Sequence, residues 1–261
     1  MNNNKSLKKY GKDYFLRYVQ KNTLGQPRGE RAFFYNYWMG YLSKIVNNGA
    51  KILEVGCGLG YFSKKLSSIY TTYSIDISPE ALHYAKNYAE NGIFVKADAE
   101  QIPFKKASID CVIAFDLIEH LSSPEIFLEQ VKRILKRDGF FILGTPNPES
   151  LGSRIKKKRY ELEDVAWENR IFEWHGWRDE THINIRKIVE WETLVREIGF
   201  HVIRNGTDFL WDTPYFPHIP VFLQKLFFNG SHRLITSLFG FLPWKLGENY
   251  YLVAKNYVKS K

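Results

Sequence analysis

Apolar and polar positions along the chain fall into two alternating patterns. Short blocks rich in branched and aromatic residues, at 51–55, 71–77, 93–98, 109–117 and 140–145, have the composition of strands buried on both faces. The stretches between several of these blocks return apolar residues every three or four positions, the period of a helix with one buried side. Their ends are punctuated accordingly. Ser78-Pro79-Glu80 supplies an N-cap and a first-turn proline, and Gly92 closes that helix. Ser123-Pro124 opens another, which buries Phe127, Val131 and Ile134 and is expected to stop at Gly139. Such alternation predicts an α/β, doubly wound, right-handed parallel sheet with helices on both faces and ligands at the carboxyl ends of its strands.

The rhythm changes near both ends and once between them. Residues 1–25 read as a basic arm that turns helical around 13–20. Over 30–46, Phe33, Tyr37, Tyr41 and Ile45 recur at every fourth position with Phe34, Trp38 and Leu42 beside them. This predicts an aromatic helix that covers the sheet or forms a lid over a ligand. Residues 144–180 carry Pro146 and Pro148, the basic run Lys156, Lys157, Lys158 and Arg159, and Trp167, Trp174 and Trp177 without a simple period. An insertion of this length after a ligand-face strand is expected to be a cap or acceptor-binding element. A helix is expected at 185–198, strands at 201–210 and 249–255, and between those strands two short apolar pieces at 221–228 and 234–244. The chain thus divides into an arm and aromatic helix (1–48), a ligand-binding core (49–148), an inserted cap (149–184), and a C-terminal part of the core sheet (185–261) with an apolar insertion at 212–245.

Composition narrows the setting. With 44% hydrophobic residues in 261, the chain has ample material for its own core. Cys57 and Cys111 offer neither a metal-finger spacing nor a disulfide framework, which points to a reducing cytoplasm. The polar, basic start has no apolar signal core, and no apolar run reaches the roughly 18 residues of a spanning helix. The expected location is cytoplasmic, with at most peripheral contact with a membrane surface. A net charge of +9 favours acidic partners such as RNA, anionic lipid head groups or phosphorylated substrates.

The candidate chemistry begins at KILEVGCGLG, residues 51–60, where an apolar strand runs into glycines at alternate positions. Gly56, Gly58 and Gly60 let backbone approach a ligand that a Cβ would push away. The dinucleotide pattern G-x-G-x-x-G fails by one residue, and the loop lacks the lysine of a phosphate-binding P-loop. The ligand is therefore expected to be nucleoside-like rather than phosphate-rich.

E-x-G-x-G-x-G after a strand, followed by SIDIS, KADAEQIPF, IDCVIAFDLIEHL and LKRDGFFILGTPNP, resembles the successive motifs of the class I methyltransferases that use S-adenosylmethionine. The resemblance is to the group that includes ubiquinone-pathway and sugar-modifying enzymes, and it covers residues 50–148 and, more loosely, 179–200. It implies a Rossmann-like, mainly parallel seven-stranded sheet that ends in a terminal pair of strands, one of them antiparallel, with helical caps at both ends of the chain. The cofactor implied is S-adenosylmethionine, with S-adenosylhomocysteine as product. Gly56, Cys57, Gly58 and Gly60 would give room for its methionine part, and Glu54 would organise the turn or meet the ligand ammonium through water. Asp76, with Ile77, would accept from the ribose hydroxyls, and Asp98, with Ala99, from the adenine amino group; Phe115 and Asp116 end the fourth strand beside them.

Methyl transfer to a hydroxyl also needs a base, and the candidates are His182, His120 and Asp179. The resemblance sets the D-x-T-H segment that contains His182 near the acceptor. Asp116, Glu119 and His120, with His182, further resemble the metal site of small-RNA 3′-terminal methyltransferases and form a set for Mg²⁺, Mn²⁺ or Zn²⁺. Asp116 is one methylene shorter than that pattern, and E-H also occurs in relatives that need no metal, so the reading adopted is transfer without one. Aromatic residues stack on sugars and bind apolar tails, so the expected acceptor is a small molecule, a saccharide or a lipid-linked molecule. The alternatives are a metal-dependent RNA methyltransferase, for which no RNA-binding module is evident, and a non-catalytic cofactor-binding subunit.

Overall fold

The first apolar block folds as β1 (Lys51–Val55), whose Ile52, Leu53 and Val55 are fully buried, and it lies inside a seven-stranded sheet. The computed structural model describes residues 29–162, 181–216 and 218–257. β2 (Thr71–Asp76) and β3 (Ile93–Lys96) add in parallel on one side of β1, and β4 (Ile109–Phe115) and β5 (Leu135–Pro146) on the other. β6 (His201–Thr207) forms the far edge, and β7 (Asn249–Lys255) runs antiparallel between β5 and β6. The strand order is β3-β2-β1-β4-β5-β7-β6. The α/β architecture and the terminal pair with its antiparallel member are as the motifs implied.

The helices are α1 (Gly29–Ile45), α2 (Tyr61–Leu66), α3 (Pro79–Tyr88), α4 (Pro124–Ile134), α5 (Leu151–Leu162), α6 (Ile188–Glu197), α7 (Val221–Gln224) and α8 (Gly230–Phe239). Alternation along each strand sends successive side chains to opposite faces. Ile52, Cys111, Ile113, Ile142 and Val253 meet Trp38, Leu42, Phe62 and Leu66 of α1 and α2. Leu53, Val112, Phe141 and Leu252 meet Phe127 and Val131 of α4 and Trp191 and Val195 of α6. Each large side chain buried in these layers contributes about 1.5–3 kcal/mol, which fixes the register of sheet and helices together. Ser78 caps α3 as expected, its hydroxyl accepting from Ala81 N at 3.3 Å with Pro79 in the first turn.

The wide aromatic face expected over α1 packs on the sheet, with Trp38 and Leu42 buried deepest and Trp38 against Phe115, Tyr251 and Phe241. Two local expectations need correction. Helix α4 ends at Ile134 rather than at Gly139. Leu135 already pairs with Ile109, and the residues up to Gly139 form a bulge tied by Lys136 Nζ to Asp110 at 2.7 Å and by Asn256 N to Gly139 O at 2.9 Å. The apolar pieces at 221–228 and 234–244 are not separate. Helix runs from Val221 to Phe239 through a π turn at Lys225–Asn229, and Leu242 then makes a bridge to Thr207. The helix expected at 13–20, Trp167, Trp174, Trp177 and Asp179 lie outside the described residues.

Candidate active site

The carboxyl ends of β2, β1 and β4 lie side by side, where the strand order reverses and an open sheet leaves a cleft, and the loop after β1 borders it. Gly56 N and Cys57 N both donate to Ile75 O, at 2.8 and 3.1 Å, which holds the loop against β2. Gly58 and Gly60 both take positive φ, 50° and 75°, for different reasons. A Cβ on Gly60 would lie 2.9 Å from the Ala85 backbone, so this glycine lets α3 close on the loop. A Cβ on Gly58 would meet nothing within 4 Å; it borders the space in front of the loop. Asp76 then fixes both sides: its Oδ2 accepts from Gly58 N and its Oδ1 from Ser78 N, each at 2.9 Å. Burial pushes the Asp76 carboxyl upward, and these amide bonds oppose the push. Ile77, half-buried, borders the same rim.

Glu54 lies behind the loop rather than in front of it. Its carboxyl oxygen Oε2 accepts from Ser63 Oγ on α2, which in turn accepts from Ser74 Oγ of β2 at 3.0 Å. Burial raises the Glu54 carboxyl to about 8, and the Ser63 bond offsets only part of this. Of its two expected roles, this geometry supports the organisation of the turn. Cys57 is buried and its thiol is pushed well up, mainly by burial, so it acts as a packing group.

Asp98 falls two residues beyond the end of β3, where its Oδ1 accepts from Glu100 N at 2.9 Å. Ala99 beside it is buried. Phe115 closes β4 with its ring 5.0 Å from Phe34 and 5.1 Å from Trp38 of α1. Asp116 follows at φ 49° with its N bonded to Gly144 O at 3.0 Å. Asp116 is exposed; the neighbouring protein pushes its carboxyl up, and Arg31 and His182 pull it the other way. Arg31 and Tyr35, on α1, are site residues that the sequence did not disclose. Tyr35 stacks on Phe62 at 5.1 Å and, like Asp116, lies in the field of Arg31. No spacing rule links residue 31 to residue 116; only the packing of α1 across the cleft does.

On the other side of Asp116 a 3₁₀ turn (Ile118–His120) is held to a distant segment. Glu119 O accepts from Ile183 N and Asn184 N, at 3.0 and 2.9 Å, and Leu121 O accepts from Asn184 Nδ2. His120 Nδ1 lies 3.2 Å from Thr181 O and 2.9 Å from Thr181 Oγ1. The carbonyl can only accept whereas the hydroxyl can donate or accept, so Thr181 holds this edge of the ring in either tautomer. The docking sets the His182 ring 4.5 Å from that of His120, edge to face. Glu119 is buried beneath them and accepts from Thr145 Oγ1 at 3.0 Å. One ligand atom from each of Glu119, His120 and His182 lies within 4.8 Å of the other two. Asp116 stands outside this cluster of the four suggested residues, since it precedes the turn and faces Arg31 as well as His182. Two imidazoles and a carboxylate suit a borderline divalent ion such as Zn²⁺ better than the harder Mg²⁺ or Mn²⁺.

Beyond β5 a second polar cluster ties the sheet edge to α5. Glu248 accepts from Tyr215 Oη and from Ser150 Oγ, and Lys156 Nζ meets the carboxylate of Asp212 at 2.5 Å. Asp208 accepts from Asn249 N at 2.8 Å and from Trp211 Nε1 at 2.7 Å. Burial raises Glu248 to about 7 and Asp208 well above its ordinary range. Tyr251, in the field of both Asp208 and Asp116, links this cluster to the cleft.

The cleft geometry agrees with what comparison of the whole chain finds. Residues 31–205 match a family model described as a methyltransferase domain. An uncharacterized protein of Methanocaldococcus jannaschii is 35% identical over 213 residues, 78% of this chain and 80% of its own. A malonyl-[acyl-carrier protein] O-methyltransferase of Paenibacillus is 26% identical over 215 residues, 78% of this chain and 74% of its own. Among solved structures, magnesium protoporphyrin IX methyltransferase of Synechocystis, with bound S-adenosylhomocysteine, shares the fold at a TM-score of 0.64 and 16% identity, covering 97% of this chain and 99% of that one. With a glycine loop locked to a strand-end carboxylate and a family match over most of its length, the chain belongs to the class I S-adenosylmethionine-dependent methyltransferases.

Proposed function

We propose that this methyltransferase acts on an oxygen or nitrogen of a small-molecule, saccharide or lipid-linked acceptor, with an imidazole on the acceptor side taking the proton. The observation that carries the reading is the pairing of His120 and His182, rings 4.5 Å apart, in and beside the turn that follows the end of β4. In this reading Gly56, Cys57, Gly58 and Gly60 leave main-chain room for the methionine part of the cofactor. Asp76 and Ile77 meet the ribose, Asp98 and Ala99 the adenine, and Phe115 and Asp116 close the slot; Glu54 holds the turn from behind. Asp76 suits the ribose because a carboxylate has acceptor capacity left after two amide bonds.

The sulfonium is already activated, so the protein has mainly to align the acceptor and exclude water, and the aromatic α1 supports the second task. The acceptor's lone pair forms the new bond to the methyl carbon while sulfur keeps the electron pair of the broken bond. The acceptor's proton passes to an imidazole nitrogen, for which the rings of His120 and His182 are the candidates; Asp179 remains a third base to test. The O-methyltransferase relative favours oxygen as the acceptor atom. The convergence of Glu119, His120 and His182 supports a second reading, in which these residues hold a divalent ion that lowers the pKa of the acceptor hydroxyl. Exhaustive chelation separates the two: unchanged turnover favours the imidazole alone.

The reading is tested with S-adenosylmethionine labelled on its methyl group, incubated with the protein and host extract and then fractionated. Label in the lipid, saccharide or small-molecule fraction is expected. Label in RNA instead would overturn the acceptor class and favour the metal-assisted alternative.

A further inference from the structure

The helical segment from α7 to α8 buries one side and, among the described residues, leaves the other exposed. On the buried side, Gln224 donates to Phe216 O and Ile219 O, both at 2.7 Å, and accepts from Tyr215 N and Phe216 N. His232 packs edge-on against Phe33 of α1, and Arg233 pairs with Glu30 at 2.7 Å. These contacts preform the element and seat it beside the helix that covers the cleft. On the outer side, Phe222, Leu226, Phe227, Leu234, Leu238 and Phe239 are each 62–74% exposed. Leu223, Leu226, Phe227 and Leu234 line a shallow groove whose middle is Gly230 and Ser231, so the stripe follows the helix over successive turns. Large apolar side chains in such a continuous row normally mark a contact surface.

Charge identifies the partner. From Thr213 to Gly247 the sequence contains no Asp or Glu; Lys225 and Lys245 are exposed, while the exposed Arg233 is paired with Glu30 of α1. Two copies of this face in an isologous contact would bring like charges together along an apolar seam. A bilayer with anionic head groups takes the apolar row into its interface and the lysines at its surface. No helix among the described residues is long and apolar enough to cross a membrane, so the contact is one that lies on the surface.

We infer that the outer face of α7 and α8 docks this enzyme onto an anionic bilayer surface, with α1 and the cleft alongside. The inference stands whichever acceptor is methylated, and its test needs no acceptor. The full chain is mixed with phosphatidylcholine vesicles, or with vesicles of phosphatidylcholine and phosphatidylglycerol in a two-to-one ratio, and bound protein is measured by flotation. Expected are binding to the mixed vesicles that weakens as salt is raised, and a drop of about tenfold or more in the combined variant Phe222→Ser, Leu226→Ser, Phe227→Ser. Lys225→Glu, which keeps the apolar row, should also weaken binding. Unchanged affinity for S-adenosylhomocysteine in both variants would show that the fold is intact. Absence of wild-type binding, equal binding to the neutral vesicles, or a combined variant that floats like wild type would each overturn the inference. So would a solution dimer that the combined variant splits without any effect on vesicles, which would assign the face to a second copy.

Discussion

The two halves of the sheet build their polar groups in opposite ways. Around β1 and β2 each important contact is made within a short reach of chain: Asp76 holds Gly58 and Ser78, and Glu54 holds Ser63. Around β5, β7 and β6 the contacts join segments far apart in sequence: Glu119 with Ile183 and Asn184, Lys156 with Asp212, Glu248 with Ser150. The first half is a rigid seat defined by strand ends and a loop. The second is assembled by docking of segments distant in sequence.

The strongest way to break this division is Asp76→Ala. It strands two loop amides and removes the carboxylate assigned to the ribose, and affinity for S-adenosylhomocysteine by calorimetry should fall about a thousandfold. Lys156→Ala strikes the docked half instead. Lys156 is buried, and loss of its pair with Asp212 should cost about 2–3 kcal/mol in denaturant unfolding, the partial exposure of Asp212 keeping the loss moderate. S-adenosylhomocysteine affinity should stay close to wild type, since nothing in the seat touches this pair. The mildest effect sharpens the role of Glu54. Its folded carboxyl keeps its proton up to about pH 8, against an ordinary value of 4.5. The folded state therefore binds the extra proton between these limits, and the stability that Glu54 contributes, full below about pH 4.5, is lost as pH rises to about 8. Glu54→Gln should flatten that slope in unfolding curves measured across the same window.

The sequence was most informative where structure is local. Strand blocks, the Ser78 cap and the order of the glycine loop and the strand-end carboxylates follow from side-chain period and turn chemistry, which act over a few residues. Gly139 misled because a glycine after a helix usually stops it, whereas here Leu135 had already entered the sheet and the glycine sits in a bulge. Which row of α1 lies deepest was not legible, because both aromatic rows have helical spacing and contact with Phe115 and Tyr251 selects Trp38. Arg31 and the cluster around Glu248 left no local trace, since their partners arrive by tertiary packing alone. The joining of His120 and His182 was foreseen as a candidate set, but the bonds of Thr181, Ile183 and Asn184 that produce it were not.

The most direct test of this account compares His182→Ala with wild type in one labelled-methyl assay, read for both turnover and affinity for S-adenosylhomocysteine. If the docked half handles the acceptor and the loop half the cofactor, turnover should fall about a hundredfold while the affinity holds. Loss of cofactor affinity in this variant, or turnover equal to wild type, would contradict the division.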